Sequence, residues 1–178
     1  MNYLNLPIGE RAPEIVNAIV EVPAGQANKY EYDRSLQVFR LDRPLYASVH
    51  YPGDYGFIPS TCAPDGDPLD VLILVPQTTF PGCLVEARPV GLLQMLDQGV
   101  PDEKVLAVAA SDPARKVIRG HKDFAPHVLR EIEHFFSVYK VLEGKHTQVR
   151  GWRDAGDALD LIRSAHARFL EPVQNPGS

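Results

Sequence analysis

The sequence predicts an α+β fold, a small β-barrel or sandwich followed by two helices packed against it. Two observations carry this. From Glu14 to about Ala110 the apolar residues come in short runs bounded by Pro, Gly and Asp, the strand-and-turn pattern of an all-β region. Beyond Asp112 they recur at spacings of three and four, the period of an amphipathic helix. The chain has 178 residues, 44% hydrophobic and 23% charged. That length suits one domain over 1–178 whose core needs no disulfide or structural metal.

In order along the chain, strands are predicted at Ile15–Val22, Lys29–Tyr32, Leu36–Leu41, Leu45–His50, Val71–Val75, Cys83–Met95 and Val105–Ala109. Val128, Leu129, Ile132, Phe135, Phe136, Tyr139 and Leu142 then form one helical stripe, with Pro126 in its first turn and Gly144 at its end. A second helix starts near Asp154, a suitable N-cap, and turns Ala158, Leu159, Ile162, Ala165 and Phe169 inward before Pro172 stops it. Residues 173–178 read as a frayed tail.

Charge excludes several function classes. Residues 1–110 hold 7 Lys+Arg against 14 Asp+Glu, a balance of −7, whereas residues 111–178 hold 11 against 9, a balance of +2. A negative field opposes a nucleic-acid backbone, so nucleic acid is a poor partner and cations are better guests. The longest apolar runs, such as Val105–Ala110, fall far short of the ~18–20 residues that span a bilayer, so no membrane role is expected. The start, Met1 to Pro7, lacks the basic and apolar regions of a secretory signal, which points to the cytoplasm. Cys62 and Cys83 form no CxxC pair and read as reduced packing residues.

The chemistry is concentrated in a cluster of hard oxygen donors. Asp65-Gly66-Asp67-Pro68-Leu69-Asp70 puts three carboxylates within six residues, directly before the apolar run Val71–Val75. Such a cluster is tolerated if it stays solvated or if a cation neutralises it. An acidic turn entering a strand and a metal-binding loop are both open at this point. An EF-hand fits badly, since Leu69, Asp70 and Pro76 stand where its third ligand, its Gly and its bidentate Glu belong. Gly144-Lys145 is no P-loop, because Tyr139 stands where the first Gly belongs and His146 follows. Asp97 and Asp102 form a second acidic pair in a polar loop, and Glu21 and Glu31 add acids at strand positions. On periodicity alone Tyr139 is a core residue.

The string Asp65-Gly66-Asp67-Pro68-Leu69-Asp70-Val71 resembles the signature of the family I soluble inorganic pyrophosphatases without a departure. Further blocks follow in that family's order: Glu21-Val22-Pro23, Lys29-Tyr30-Glu31, Asp42-Arg43, His50-Tyr51-Pro52 with Tyr55-Gly56, Arg88 to Gly91, Asp97 with Asp102 and Lys104, and Tyr139-Lys140 with Gly151-Trp152. The resemblance runs from about Leu4 to the last helix. It implies a compact five-stranded, OB-like barrel with two main C-terminal helices outside it. The activity it implies is Mg²⁺-dependent hydrolysis of inorganic pyrophosphate to two orthophosphates by direct attack of a metal-bound water or hydroxide, with no covalent phospho-enzyme.

The site residues follow from the same resemblance. Asp65, Asp70, Asp97, Asp102, Glu31 and Glu21 would hold metal. Lys29, Arg43, Tyr55, Lys104, Tyr139 and Lys140 would hold the phosphates, and Asp67 would be the general base, with Tyr55 assisting catalysis. Counting Asp67, seven acids face four bases, a balance of −3. With a pyrophosphate near −4, roughly three or four Mg²⁺ ions would bring the filled site near neutrality. Three features depart from the family's usual pattern: Gln98 where bacterial members often have Glu, Asp54 where Asn is usual, and a segment between Glu21 and Lys29 one residue shorter. Gln98 is expected to weaken metal loading slightly. Bacterial relatives commonly form hexamers, and a homohexamer is expected here, although Val138 stands one turn after His134 where a second histidine is usual. Two other classes remain as alternatives, a barrel that binds single-stranded nucleic acid or oligosaccharide and a cation-binding module without catalysis.

Overall fold

In chain order the strands are β1 (Val16–Val22), β2 (Asn28–Asp33), β3 (Val38–Pro44), β4 (Asp54–Ile58), β5 (Leu69–Leu74), β6 (Leu84–Asp97), β7 (Val100–Pro101), β8 (Lys104–Ala109) and β9 (Thr147–Arg153). Helices α1 (Pro126–Val138) and α2 (Ala155–Leu170) flank β9. The computed structural model describes residues 1–171, and the expected frayed tail lies outside them. Strands β1, β4, β5, β8 and β6 are hydrogen-bonded in that order, and β6 pairs back onto β1, with Val16 opposite Ala87 and Ile19 opposite Leu84. The ladder therefore closes into a ring of five strands, as the resemblance implied. All its pairings are antiparallel except β5–β8. β6 runs past the ring and pairs at its far end with β7 and β9. β2 and β3 form a separate hairpin that packs on β1.

The predicted strand Leu45–His50 does not form. Those residues bend, and Leu45 N–H and Tyr51 N–H donate to the carbonyls of Ala27 and Gln26 at 2.7 and 3.0 Å. The strand comes later, as β4, which is buried along its whole length and so shows no alternation. Gly56, a turn residue by composition, is required by that strand: a Cβ there would stand 1.9 Å from the Ile19 carbonyl oxygen of β1. Strand β9 is also an addition, a polar and partly buried edge strand with a bulge opposite Gln94 and Met95. The third strand starts two residues late because Asp33 Oδ1 accepts from the amides of Ser35 and Leu36, at 2.9 Å each, and shapes the preceding turn.

The first helix ends at Val138, earlier than expected. A single 3₁₀ turn at Val141–Glu143 follows, and Gly144, with φ 72°, ends that turn in the left-handed region. Leu142, assigned to the helical stripe, is 66% exposed as a result. The second helix matches its predicted extent and buries Ala158, Ile162 and Ala165, but Leu159 and Phe169, also expected inward, are only partly buried while Leu161 packs on the core. The Asp154 side chain makes no cap hydrogen bond and binds Lys122 at 3.1 Å.

Strands β5 and β8 are buried on both faces, which explains their uninterrupted apolar runs. Leu72 and Leu106 pack with Ile132, Phe135 and Phe136 of α1. Val71, Ile73, Val105 and Ala107 pack with Ala158, Ile162 and Ala165 of α2. Each fully buried large side chain contributes about 1.5–3 kcal/mol. Asp54, the second departure, is fully buried in β4 and accepts from Ala24 N–H, Thr79 N–H and the Thr78 and Thr79 hydroxyls at 2.6–3.3 Å. It ties two loops to the ring. Cys62 and Cys83 are both unpaired. Among the described residues no helix is long and apolar enough to cross a membrane.

Candidate active site

One cleft of about 460 Å³ collects the acids. Glu21 reaches it from the bulge between Val20 and Val22 in β1, where the extra residue breaks the pairing and re-aims a side chain. Lys29 and Glu31 come from β2, Tyr55 from β4, Asp65 and Asp67 from the loop before β5, and Asp70 from β5 itself. Asp97 closes β6, Asp102 precedes β8, Lys104 begins it, and Tyr139 and Lys140 follow α1. Twelve of the thirteen anticipated site residues therefore line one cleft. Arg43 does not line it. It sits on β3 beside the cleft, in register with the cleft-lining Lys29 of β2, and its charge acts on the cleft-lining Tyr51.

Local geometry explains the placement. Gly66, with φ 90°, lets Asp65 Oδ1 accept from Asp67 N–H at 3.0 Å, an Asx turn that holds both carboxylates on one short loop. A two-residue turn, Gln98-Gly99, joins β6 to β7, with Asp97 opposite Val100, and Asp102 N–H donates to Met95 O at 3.0 Å, so Asp97 and Asp102, two residues beyond Val100, lie diagonally on one tight hairpin. Gln98 itself is exposed at that turn and is not part of the cleft wall.

The acids are held by cations. Lys104, 3% exposed, donates to both Asp70 and Asp102. Lys140 donates to Asp97 at 2.6 Å, Arg34 to Asp67 at 2.5 Å, and Lys29 to Glu31. Burial opposes the Lys104 charge, but its two carboxylates outweigh burial and raise its pKa. Burial pushes Glu21 up to about 8, against the pull of the Tyr32 N–H that donates to it at 2.7 Å. Burial is also the main cause that raises Tyr51, Tyr55 and Tyr139, so all three phenols keep their protons and can donate. They stand on α1: Phe135 packs against Tyr51 at 4.7 Å and Tyr139 at 5.2 Å, and Phe136 against Tyr55 at 6.1 Å, centroid to centroid. Tyr139, 5% exposed, is both the core residue its spacing indicated and part of the cleft wall.

Among the described residues no three His, Cys, Asp or Glu side chains stand close enough together to hold one ion. The cleft gathers Asp65, Asp67 and Asp70 without bringing them to a common point. Its chemistry nevertheless suits a hard divalent cation. Carboxyl oxygens outnumber ammonium and guanidinium groups, eight residues to four, and Asp97 Oδ1 is buried with no hydrogen-bond partner.

Two contacts were not legible in the sequence. Arg34, which carried no assignment, holds Asp67, and the one signal was a cation directly after an acidic strand. Glu143 holds Arg43 across 100 residues, a separation no local pattern reveals.

The family model described as inorganic pyrophosphatase matches residues 18–170. This chain belongs to the inorganic pyrophosphatase family. It is 51% identical over 162 residues to the inorganic pyrophosphatase of Synechocystis sp., covering 91% of this chain and 95% of that one. With the Thermus thermophilus inorganic pyrophosphatase it shares 49% over 171 residues, 94% of this chain and 98% of the relative. The crystal structure of inorganic pyrophosphatase from Thermus thermophilus superposes with a TM-score of 0.94 at 48% identity, covering 96% of this chain and 100% of that one. Membership makes this chain an enzyme, a hydrolase of the inorganic diphosphatase class.

Proposed function

We propose that the protein hydrolyses inorganic pyrophosphate to two orthophosphates by direct attack of water on one phosphorus, with divalent cations and Mg²⁺ first among them. The observation that carries this reading is the composition of the cleft, where carboxylates exceed cations and three protonated phenols share the wall. A tetra-anion enters such a site only with cations, and the same excess repels a nucleic-acid backbone.

Asp65, Asp70, Asp97, Asp102, Glu31 and Glu21 are the residues that would hold the ions, three or four in the filled site. Bound there, they would offset the negative charge, polarise the phosphoryl oxygens and acidify a coordinated water. Asp67 takes the proton from the attacking water as its oxygen bonds to phosphorus and the bridging P–O bond breaks. Its place on the short loop, with one oxygen on the Arg34 guanidinium, supports this role. Lys29, Arg43, Lys104 and Lys140 bind the phosphate oxygens as cations, and Tyr55 and Tyr139 donate O–H bonds to them. No side chain forms a bond to phosphorus.

Cytoplasmic work and hexameric assembly belong to the same proposal. Unpaired Cys62 and Cys83 suit a reducing compartment, and the exposed Leu36, Val38 and Leu41 of the β2–β3 hairpin suit a subunit contact. The deciding experiment is phosphate release from pyrophosphate with and without Mg²⁺. Wild type should turn over only with Mg²⁺, and Asp67→Asn should lose at least ~10²-fold, the scale of a general base. Wild-type protein that releases no phosphate in either condition would overturn the proposal.

A further inference from the structure

Arg43 is oriented by two carboxylates. Its Nε donates to Glu143 Oε1 at 2.9 Å, its Nη1 donates to Asp42 Oδ2, and its Nη2 is buried with no partner. The Glu143 side chain is 6% exposed, and its other oxygen lies 3.7 Å from Lys145 Nζ. A carboxylate that far from water persists only against cations. Burial disfavours the Arg43 charge, and Glu143 with Asp42 more than restores it. Glu143 closes the 3₁₀ turn three residues after Lys140, and left-handed Gly144 fixes that turn. The segment that delivers Tyr139 and Lys140 to the cleft therefore also delivers the carboxylate that grips Arg43.

We infer that Glu143 is a positioning residue for pyrophosphate binding: it clamps the Nε edge of Arg43 so that Nη2 is left as the donor for a phosphate oxygen. The guanidinium is planar, so engaging Nε and Nη1 sets the direction of the remaining nitrogen. A pair that served packing alone would have no use for a buried donor without an acceptor, because such a donor destabilises the fold. The inference rests on the reading above that Arg43 binds phosphate.

A double-mutant cycle tests it, with Glu143→Ala, Arg43→Ala and the double variant of the full chain. Binding of imidodiphosphate, a non-hydrolysable analogue, is followed by calorimetry with Mg²⁺ beside KM, kcat and thermal melting. Glu143→Ala should weaken binding and raise KM about tenfold, the scale of one charge-assisted hydrogen bond, with a smaller change in kcat. In the Arg43→Ala background the same substitution should change binding by less than about twofold. Glu143→Gln, which keeps an acceptor oxygen, should recover part of the loss and serves in the cycle if Glu143→Ala does not fold. Equal losses in both backgrounds would overturn the inference, as would unchanged binding in Glu143→Ala and Glu143→Gln beside weakened binding in Arg43→Ala. Wild-type binding in Arg43→Ala would overturn the phosphate role of Arg43 and this inference with it.

Discussion

Lys140 Nζ donates to Asp97 Oδ2 at 2.6 Å, while the other oxygen of that carboxylate is buried and unpartnered. The ammonium and an incoming cation therefore compete for one group. Lys140→Met should tighten Mg²⁺ binding to the substrate-free protein while weakening pyrophosphate binding. Asp97→Asn should weaken Mg²⁺ on the order of tenfold, since a formal charge is lost beside the ion. Calorimetric Mg²⁺ titration of the three proteins measures both effects, and identical isotherms would show that Asp97 holds no ion.

Glu21 predicts an inverted pH response in the metal-free protein. Below about 4.5 the carboxyl is protonated whether the chain is folded or not. Between that value and about 8 the unfolded chain releases its proton and the folded protein keeps it, so stability falls as pH rises across this window. Glu21→Gln keeps an oxygen for the Tyr32 N–H and removes the titration. The variant should melt at least about 3 °C above wild type at pH 9 and match it near pH 4. Superimposable melts at pH 9 would contradict the assignment.

Gln98, with φ 50°, adopts the left-handed conformation that favours Asn or Gly, and it precedes Gly99, with φ 85°. Gln98→Asn should stabilise the protein by about 0.5–1 kcal/mol in urea denaturation. Gln98→Glu should lower the Mg²⁺ concentration for half-maximal rate by less than about twofold, because the side chain acts from an exposed turn through screened solvent. A larger shift would place that carboxylate on the ion.

Phe136 is 1% exposed and packs edge-on to Tyr139 at 5.6 Å and against Tyr55 at 6.1 Å. Phe136→Ala should cost about 3–5 kcal/mol of stability. In the folded fraction it should raise KM for pyrophosphate, because two phenols lose the surface they lean on. Loss of stability with an unchanged KM would separate the aromatic stack from binding.

What the sequence reveals depends on how local each cause is. The acidic loop is legible because Asp65, Asp67 and Asp70 are neighbours and their repulsion is a local fact. The second helix is legible because one face repeats every turn. β4 is hidden because a strand buried on both faces carries no alternation, and because Gly56 is needed for the approach of β1, a contact set by tertiary structure. Tyr139 shows the limit of periodicity: spacing assigned it to the core, and the same residue also lines the cleft. The grips of Arg34 on Asp67 and of Glu143 on Arg43 join segments 33 and 100 residues apart, and no window along the chain contains both partners.

The closure of β6 onto β1 also sets an order of assembly on the ribosome. β1 emerges early, yet its second neighbour is not made until Leu84–Ala87, and β8, which completes the circuit, ends at Ala109. Until then the nascent chain carries an early strand with one edge open, and the carboxylates of the cleft have no common wall to stand on. Pairings this distant in sequence make folding slow, so the enzyme acquires its active site only in the second half of its own synthesis.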